Sequence, residues 1–206
     1  MVRVAVLVSG GGTNLQAILD AKAAGKLPSA ELALVLSSRE GAYALERARR
    51  AGIPARVVSR ADYPQAEAFD RALLAALREY DIQFVVLAGF LSILGEEFIK
   101  KYTNRIINVH PSLIPSFCGE GYYGLRVHRA ALDYGVKVTG ATVHYVNEIP
   151  DGGEIILQKA VEIREDDTPE SLQKRVMEEA EWQLLPRAVQ LCCARIEREE
   201  NENGPV

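Results

Sequence analysis

The chain has 206 residues, 48% of them apolar, which is ample for a hydrophobic core and fits one large domain or a domain with a small extension. A formal charge of −4 with both signs interspersed gives no footing for nucleic-acid binding. Three cysteines, at 118, 192 and 193, make neither a disulfide framework nor a zinc-ligand spacing. A reducing cytoplasm is therefore the expected compartment, and no apolar run approaches the roughly 20 residues of a membrane span.

The first predicted element is a strand over Val2–Val8. Its apolar run is too short for a secretory leader and ends in glycines. Near-continuous β-formers of this kind mark a strand covered on both faces by helices. The motif SGGGTN follows, then a helix over 15–24, a strand over 30–36, a helix over 42–51 stopped by Gly52, and a short strand over 55–58. A longer helix is expected over 66–80, where Phe69, Leu73 and Leu77 share one face. A strand over 82–88, a helix over 95–102 and a strand over 106–109 complete a strictly alternating half. This alternation predicts a parallel, doubly wound α/β sheet with ligands beyond the carboxyl ends of the strands.

The segment INVHPSLIPSFCGEGYYGLRVH then breaks the pattern with prolines and glycines. A helix is expected over 126–134 and two longer antiparallel strands over 138–146 and 154–163, joined through NEIPDGGE. Thr168-Pro169 supplies a capping hydroxyl and a first-turn proline for a last helix that runs towards 195, with Pro186 expected to bend or interrupt it. The charged stretch 197–206 reads as a disordered tail. The fold class expected is thus α/β, a mostly parallel doubly wound sheet with antiparallel C-terminal strands and a long C-terminal helix.

Three segments reach the functional edge. In SGGGTN, glycines between a strand and a helix expose amides at the helix start, which suits a small phosphomonoester or serves only as a tight turn. It is not a dinucleotide fingerprint, because Leu15 stands where a third glycine is required, and it is not a P-loop. In NVHPS, Asn108 and His110 are two apart on a strand and can point the same way, an amide donor beside an imidazole. Asp151 in IPDGGE orients a histidine or is an ordinary Asp-Gly turn. His144 and Thr142 share a strand face, His128 reads as structural, and Cys118 has no neighbouring base. The apolar LAGFLSIL walls a flat ring system or fills the core.

The segments VAVLVSGGGTNLQAIL, VVLAGFLSIL, INVHPSLIPSF, VTGATVHYVNEIPDGGEIILQ and DTPESLQKRVMEEAEWQLLP resemble the phosphoribosylglycinamide formyltransferase family over nearly the whole chain. The resemblance implies a Rossmann-like formyltransferase fold and transfer of a formyl group from 10-formyltetrahydrofolate to the amine of glycinamide ribonucleotide, in purine biosynthesis and one-carbon metabolism. It implies a catalytic trio of Asn108, His110 and Asp151. It implies substrate binding by Gly12, Thr13, Asn14 and Glu181. Folate binding falls on Phe90, Leu91, Ser92, Ile93 and Leu94, with Asn108, Thr142, His144, Glu148 and Asp151. No metal is expected. The same motifs resemble the catalytic domains of methionyl-tRNA formyltransferase and formyltetrahydrofolate deformylase. Length points away from both, which carry a further C-terminal or N-terminal domain.

The expected organisation is one formyltransferase domain over 1–196, with a phosphate-binding half at 1–109 and a folate-binding half at 110–196. Its partners would be the two small-molecule substrates, with no nucleic acid and no membrane, in a monomer or homodimer. Four departures stand out. The loop CGEGYYGLRVH is longer than in many members. RVMEEAEWQLLP is one residue longer and has Trp182 where a histidine is usual. A phosphate-binding basic residue of some members maps onto Glu178, leaving Lys174, Arg175 or another side chain to supply the charge. An arginine of some members is replaced by Ala66. Two alternatives stay open: a hydrolase of 10-formyltetrahydrofolate using the same Asn108, His110 and Asp151, and a non-catalytic nucleotide-binding module.

Overall fold

The computed structural model describes residues 1–202. Five strands, β1 (Val2–Val8), β2 (Ala30–Ser37), β3 (Ala55–Val57), β4 (Phe84–Leu87) and β5 (Ile106–His110), run parallel in the order β3-β2-β1-β4-β5. β6 (Val138–Tyr145) and β7 (Ile155–Glu162) continue the sheet antiparallel beyond β5. The strand order reverses between β1 and β4, which opens a crevice at their carboxyl ends.

The continuous apolar run of β1 serves two cores. Val4, Val6 and Val8 pack with Leu15 and Ile18 of α1 (Thr13–Ala23) and with Leu185 and Val189 of α7 (Trp182–Glu202). The alternate Ala5 and Leu7 pack with Phe69, Leu73 and Leu77 of α3 (Ala66–Glu79) and Phe98 of α4 (Glu96–Lys101). Phe69, Leu73 and Leu77 are fully buried, so truncating any of them costs about 2–5 kcal/mol. Helix α2 (Tyr43–Arg50) packs beside the loop after β1, and α5 (Leu125–Tyr134) follows the long loop after β5. No helix of the described residues is long and apolar enough to cross a membrane.

The C-terminal helix departs from expectation in two ways. It starts as expected: the Thr168 hydroxyl accepts from Ser171 N at 3.2 Å and the Ser171 hydroxyl accepts from Thr168 N at 3.0 Å. α6 (Pro169–Val176) then gives way to a π turn, Met177–Glu181, before α7. The irregularity therefore precedes Pro186, which sits inside α7 where its missing amide affects only the bond to the Trp182 carbonyl. The wider turn loosens the backbone ladder, and Gln183 Nε2 donates to the Glu178 carbonyl at 3.3 Å. The second departure is length. α7 continues through Glu202, so 197–202 is helical, held by an ion pair between the N-terminus and Glu197 at 3.0 Å and by Glu200, which accepts from Gln83 Nε2 at 3.0 Å and pairs with Arg105 at 3.6 Å. The rest of the expected tail, 203–206, lies outside the described residues.

Candidate active site

The loop after β1 is shaped by what α2 takes from it. Ala44 N donates to the Gly10 carbonyl at 3.1 Å, and Arg47 Nε donates to the Gly11 carbonyl at 2.8 Å. Gly12 has φ +72°, and a Cβ there would lie 2.6 Å from Ala44 Cβ, so the position requires glycine on both counts. With the carbonyls tied to α2, α1 begins at Thr13 without a side-chain cap and without an acidic residue in its first turn. Its first amides are left for an anion.

Asn14, in that first turn, is buried and donates through Nδ2 to Glu181 Oε2 at 2.6 Å. The two are 167 positions apart, and the π turn delivers Glu181 to the cradle. Burial pushes the Glu181 carboxyl up to about 6, against the lowering effect of the Asn14 bond. Asn14 Oδ1 is buried without a partner among the described residues. Thr13 Oγ1 lies 3.8 Å from Met177 Sδ on the same turn.

The loop after β4 lies alongside. Ser9 N donates to the Gly89 carbonyl at 3.1 Å, and Leu91 N donates to Ser9 Oγ at 2.9 Å. Phe90 stacks on Phe69 with centroids 6.4 Å apart, and Leu94 is buried in the α3 core. Leu91 and Ile93 are exposed instead, 53% and 82%, and with Ser92 they line a cavity of about 880 Å³ shared with Arg39 and Arg60. Of the residues expected at the folate pocket, then, Leu91 and Ile93 expose their side chains, while Phe90 and Leu94 anchor the loop.

On β5, Ile107 and Val109 point into the α1–α7 core, so Asn108 and His110 face the opposite side. β6 runs antiparallel in the register Asn108↔His144 and His110↔Thr142, and directly opposed residues share a face. Two pairs of polar side chains, more than thirty positions apart in the chain, thus share one face. Asp151 reaches it from the β6–β7 loop: Oδ2 is 3.4 Å from His110 Nδ1 and Oδ1 is 3.5 Å from His144 Nε2. Gly153 makes this turn possible, since a Cβ there would strike the Tyr145 carbonyl at 1.7 Å.

Hydrogen bonds assign the rings. His144 Nδ1 lies 2.8 Å from the Tyr145 carbonyl and donates to it, so in the neutral ring Nε2 accepts from Asn108 Nδ2 at 3.3 Å. That bond aims the Asn108 amide and leaves its second N–H for a ligand. His110 Nε2 donates to the Phe117 carbonyl at 2.9 Å, while Nδ1 faces Asp151. Both ring nitrogens face acceptors, which only an imidazolium satisfies fully. Burial nevertheless lowers the His110 pKa below the ordinary value, outweighing Asp151 and the Phe117 carbonyl, which raise it. Burial raises the Asp151 carboxyl, but the neighbouring His144 and His110 rings and the Gly119 amide together bring it below the usual carboxylate value.

Sequence reasoning missed the backbone of the long loop. Gly119 N donates to Asp151 Oδ2 at 2.9 Å, so residues Phe117 and Gly119 cap both members of the His–Asp pair. Phe117, Gly119, Gly121 and Gly124 all have positive φ, and the glycine spacing was the available signal. Thr142 supports this loop rather than touching His110: its hydroxyl donates to the Ser112 carbonyl at 2.7 Å and accepts from Ile114 N at 3.1 Å. Glu148 is exposed, and its resolved influence is on Lys100 of α4. His128 is fully buried with neither ring nitrogen bonded among the described residues, and burial pushes it down to about 4. Burial, then Asp151, raises the Cys118 thiol, which argues against a thiolate nucleophile. Lys174 pairs with Glu178 at 2.7 Å on the exposed face of the helix, and Arg175 is held by Asp167 and the Glu162 carbonyl.

Comparison with known proteins agrees with this architecture. The formyl transferase family model matches residues 2–189. A crystal structure of glycinamide ribonucleotide transformylase 1 from Symbiobacterium toebii superposes with a TM-score of 0.88 at 46% identity, covering 94% of this chain and 88% of that one. Phosphoribosylglycinamide formyltransferase of Haemophilus influenzae is 39% identical over 189 residues, 92% of this chain and 86% of that protein. The trifunctional purine biosynthetic protein adenosine-3 of Gallus gallus is 45% identical over 192 residues, and the chain spans only 18% of its length. The chain belongs to the formyl transferase family.

Proposed function

We propose that the protein transfers the formyl group of 10-formyltetrahydrofolate to the amine of glycinamide ribonucleotide, giving N-formylglycinamide ribonucleotide and tetrahydrofolate in the cytoplasm. The observation that carries this reading is the Asp151 carboxylate held 3.4 Å from His110 and 3.5 Å from His144, with Asn108 on the same strand face. The crevice between β1 and β4 adds an anion cradle on one side and the exposed Leu91 and Ile93 on the other. A phosphorylated amine and a flat pterin would meet over β5. The phosphate-binding part falls within 1–109 and the folate-binding part within 110–196, with Glu181 and the Leu91 loop crossing that division.

In this mechanism the neutral amine attacks the formyl carbon, and the carbonyl electron pair moves onto oxygen. The free N–H of Asn108 and the Nε2–H of His110 donate to that oxyanion. Each such donor lowers the barrier by about 3–4 kcal/mol. The formyl oxygen takes the place at Nε2 that the Phe117 carbonyl holds in this structure. As negative charge develops, His110 Nδ1 takes a proton from solvent, with Asp151 accepting from it, and returns that proton to solvent when the oxyanion collapses. Collapse of the intermediate breaks the bond to N10. The amine's proton passes through a water positioned by Asp151 to N10, so atoms and charge balance. Holding both substrates in one crevice supplies the rest of the advantage.

An assay that omits each substrate in turn tests the proposal. Formylated product is expected only with both present. Formate release without the amine would replace the transferase by a hydrolase using the same three residues, and nucleotide binding without folate affinity would leave a binding module.

A further inference from the structure

The phosphate end of the proposed substrate needs a counter-charge, and both residues first expected to supply it are engaged elsewhere. Arg47 of α2 is placed differently. Its Nε bonds the Gly11 carbonyl at 2.8 Å, Nη1 bonds Gln16 Oε1 at 2.9 Å, and the guanidinium lies 5.0 Å from the Tyr43 ring centroid. Nη2 makes no hydrogen bond, and no carboxylate pairs with the side chain among the described residues. Arg47, Thr13 and Gln16 line one end of a cavity of about 830 Å³, with Trp182 and Arg187 across it.

We infer that Arg47 is the cation that binds the substrate's phosphate at the Gly12 cradle, a role that rests on reading the cradle as a phosphate site. α2 cannot drift from the loop, because Ala44 N holds the Gly10 carbonyl and Gly12 packs on Ala44. The guanidinium is therefore fixed before ligand arrives, and its unspent nitrogen adds a charge-assisted bond to those of the Thr13 and Asn14 amides. The buried, unpartnered Asn14 Oδ1 is a separate sign of a ligand here. It would accept from a sugar hydroxyl next to the phosphate, so the class recognised is a sugar phosphate.

The test uses ribose 5-phosphate as the probe, with binding followed by calorimetry and by fluorescence of Trp182, the only tryptophan in the chain. Arg47→Gln should weaken binding roughly tenfold or more, with Arg47→Lys intermediate. Lys174→Ala and Arg187→Ala should bind as wild type does. In turnover, Arg47→Gln should raise KM for glycinamide ribonucleotide while kcat and the folate KM hold. Wild-type binding in Arg47→Gln, a loss in Arg187→Ala instead, or no binding by the wild-type protein would overturn the assignment. So would an Arg47→Lys variant as impaired as Arg47→Gln, which would make the residue a loop support. Phosphate binding through Arg47 without any formyl transfer would sink the proposed reaction and leave this assignment standing.

Discussion

In the loop after β1, Gly12 turns the chain at φ +72°; in the loop after β6, Asp151 turns it at φ +55°. The first position uses a residue for which that conformation is free, and what it offers a ligand is backbone. The second uses a residue with a Cβ, at a cost of about 1 kcal/mol or more, and what it offers is a carboxylate between two imidazoles. On the proposed mechanism, backbone strain is tolerated where a side chain does the chemistry and avoided where amides bind the substrate.

The largest expected effect breaks the second loop alone. Asp151→Asn keeps a residue that adopts the left-handed region readily, so the melting temperature should barely move while kcat falls on the order of a thousandfold; His110→Ala should match it in steady-state kinetics. Near-normal turnover in either would remove that residue from the mechanism. Gly12→Ala should do the reverse. The strained φ and the 2.6 Å contact with Ala44 predict about 3 kcal/mol of lost stability by urea unfolding, with kcat of the folded fraction largely kept.

Glu181 joins the two halves, and its expected effect is smaller and depends on pH. Its folded pKa is raised from 4.5 to about 6, so the folded state binds the proton more tightly than the unfolded chain does. Stability should therefore fall as pH rises from 4.5 to about 6, by about 2 kcal/mol. Glu181→Gln should remove that dependence from denaturation curves across this window. The smallest change is a control remote from both loops. Thr168→Ala removes the capping hydroxyl and should lower stability by about 1 kcal/mol without touching KM for either substrate.

Much of the cradle was legible because its determinants are local. A strand, three glycines and a helix start occupy consecutive positions, and the spacing of Asn108 and His110 fixed their shared face. The approach of Asp151 to His110 was not legible from spacing, because it depends on the β5–β6 register and on a turn that Gly153 permits. Family resemblance placed it, and geometry gave the reason. The roles of Phe117 and Gly119 were hidden for a different cause: they act through carbonyl and amide, which every residue has. Lys174 and Arg175 looked spare in the sequence because their partners, Glu178 and Asp167, gain meaning only once a helix and its cap bring them together. The π turn likewise left only an extra residue in RVMEEAEWQLLP as its trace.

The pairing of Asn108 with His144 and of His110 with Thr142 makes the junction of the parallel and antiparallel parts of the sheet a ruler for the proposed chemistry. Side chains alternate strictly along a strand, so one residue inserted within β6 would swing Thr142 and His144 to the helix-covered side and strand Asp151 without its second imidazole. The turn between α5 and β6 carries no such constraint. The chain can therefore lengthen ahead of Val138, whereas the eight positions from Val138 to Tyr145 do not admit insertion.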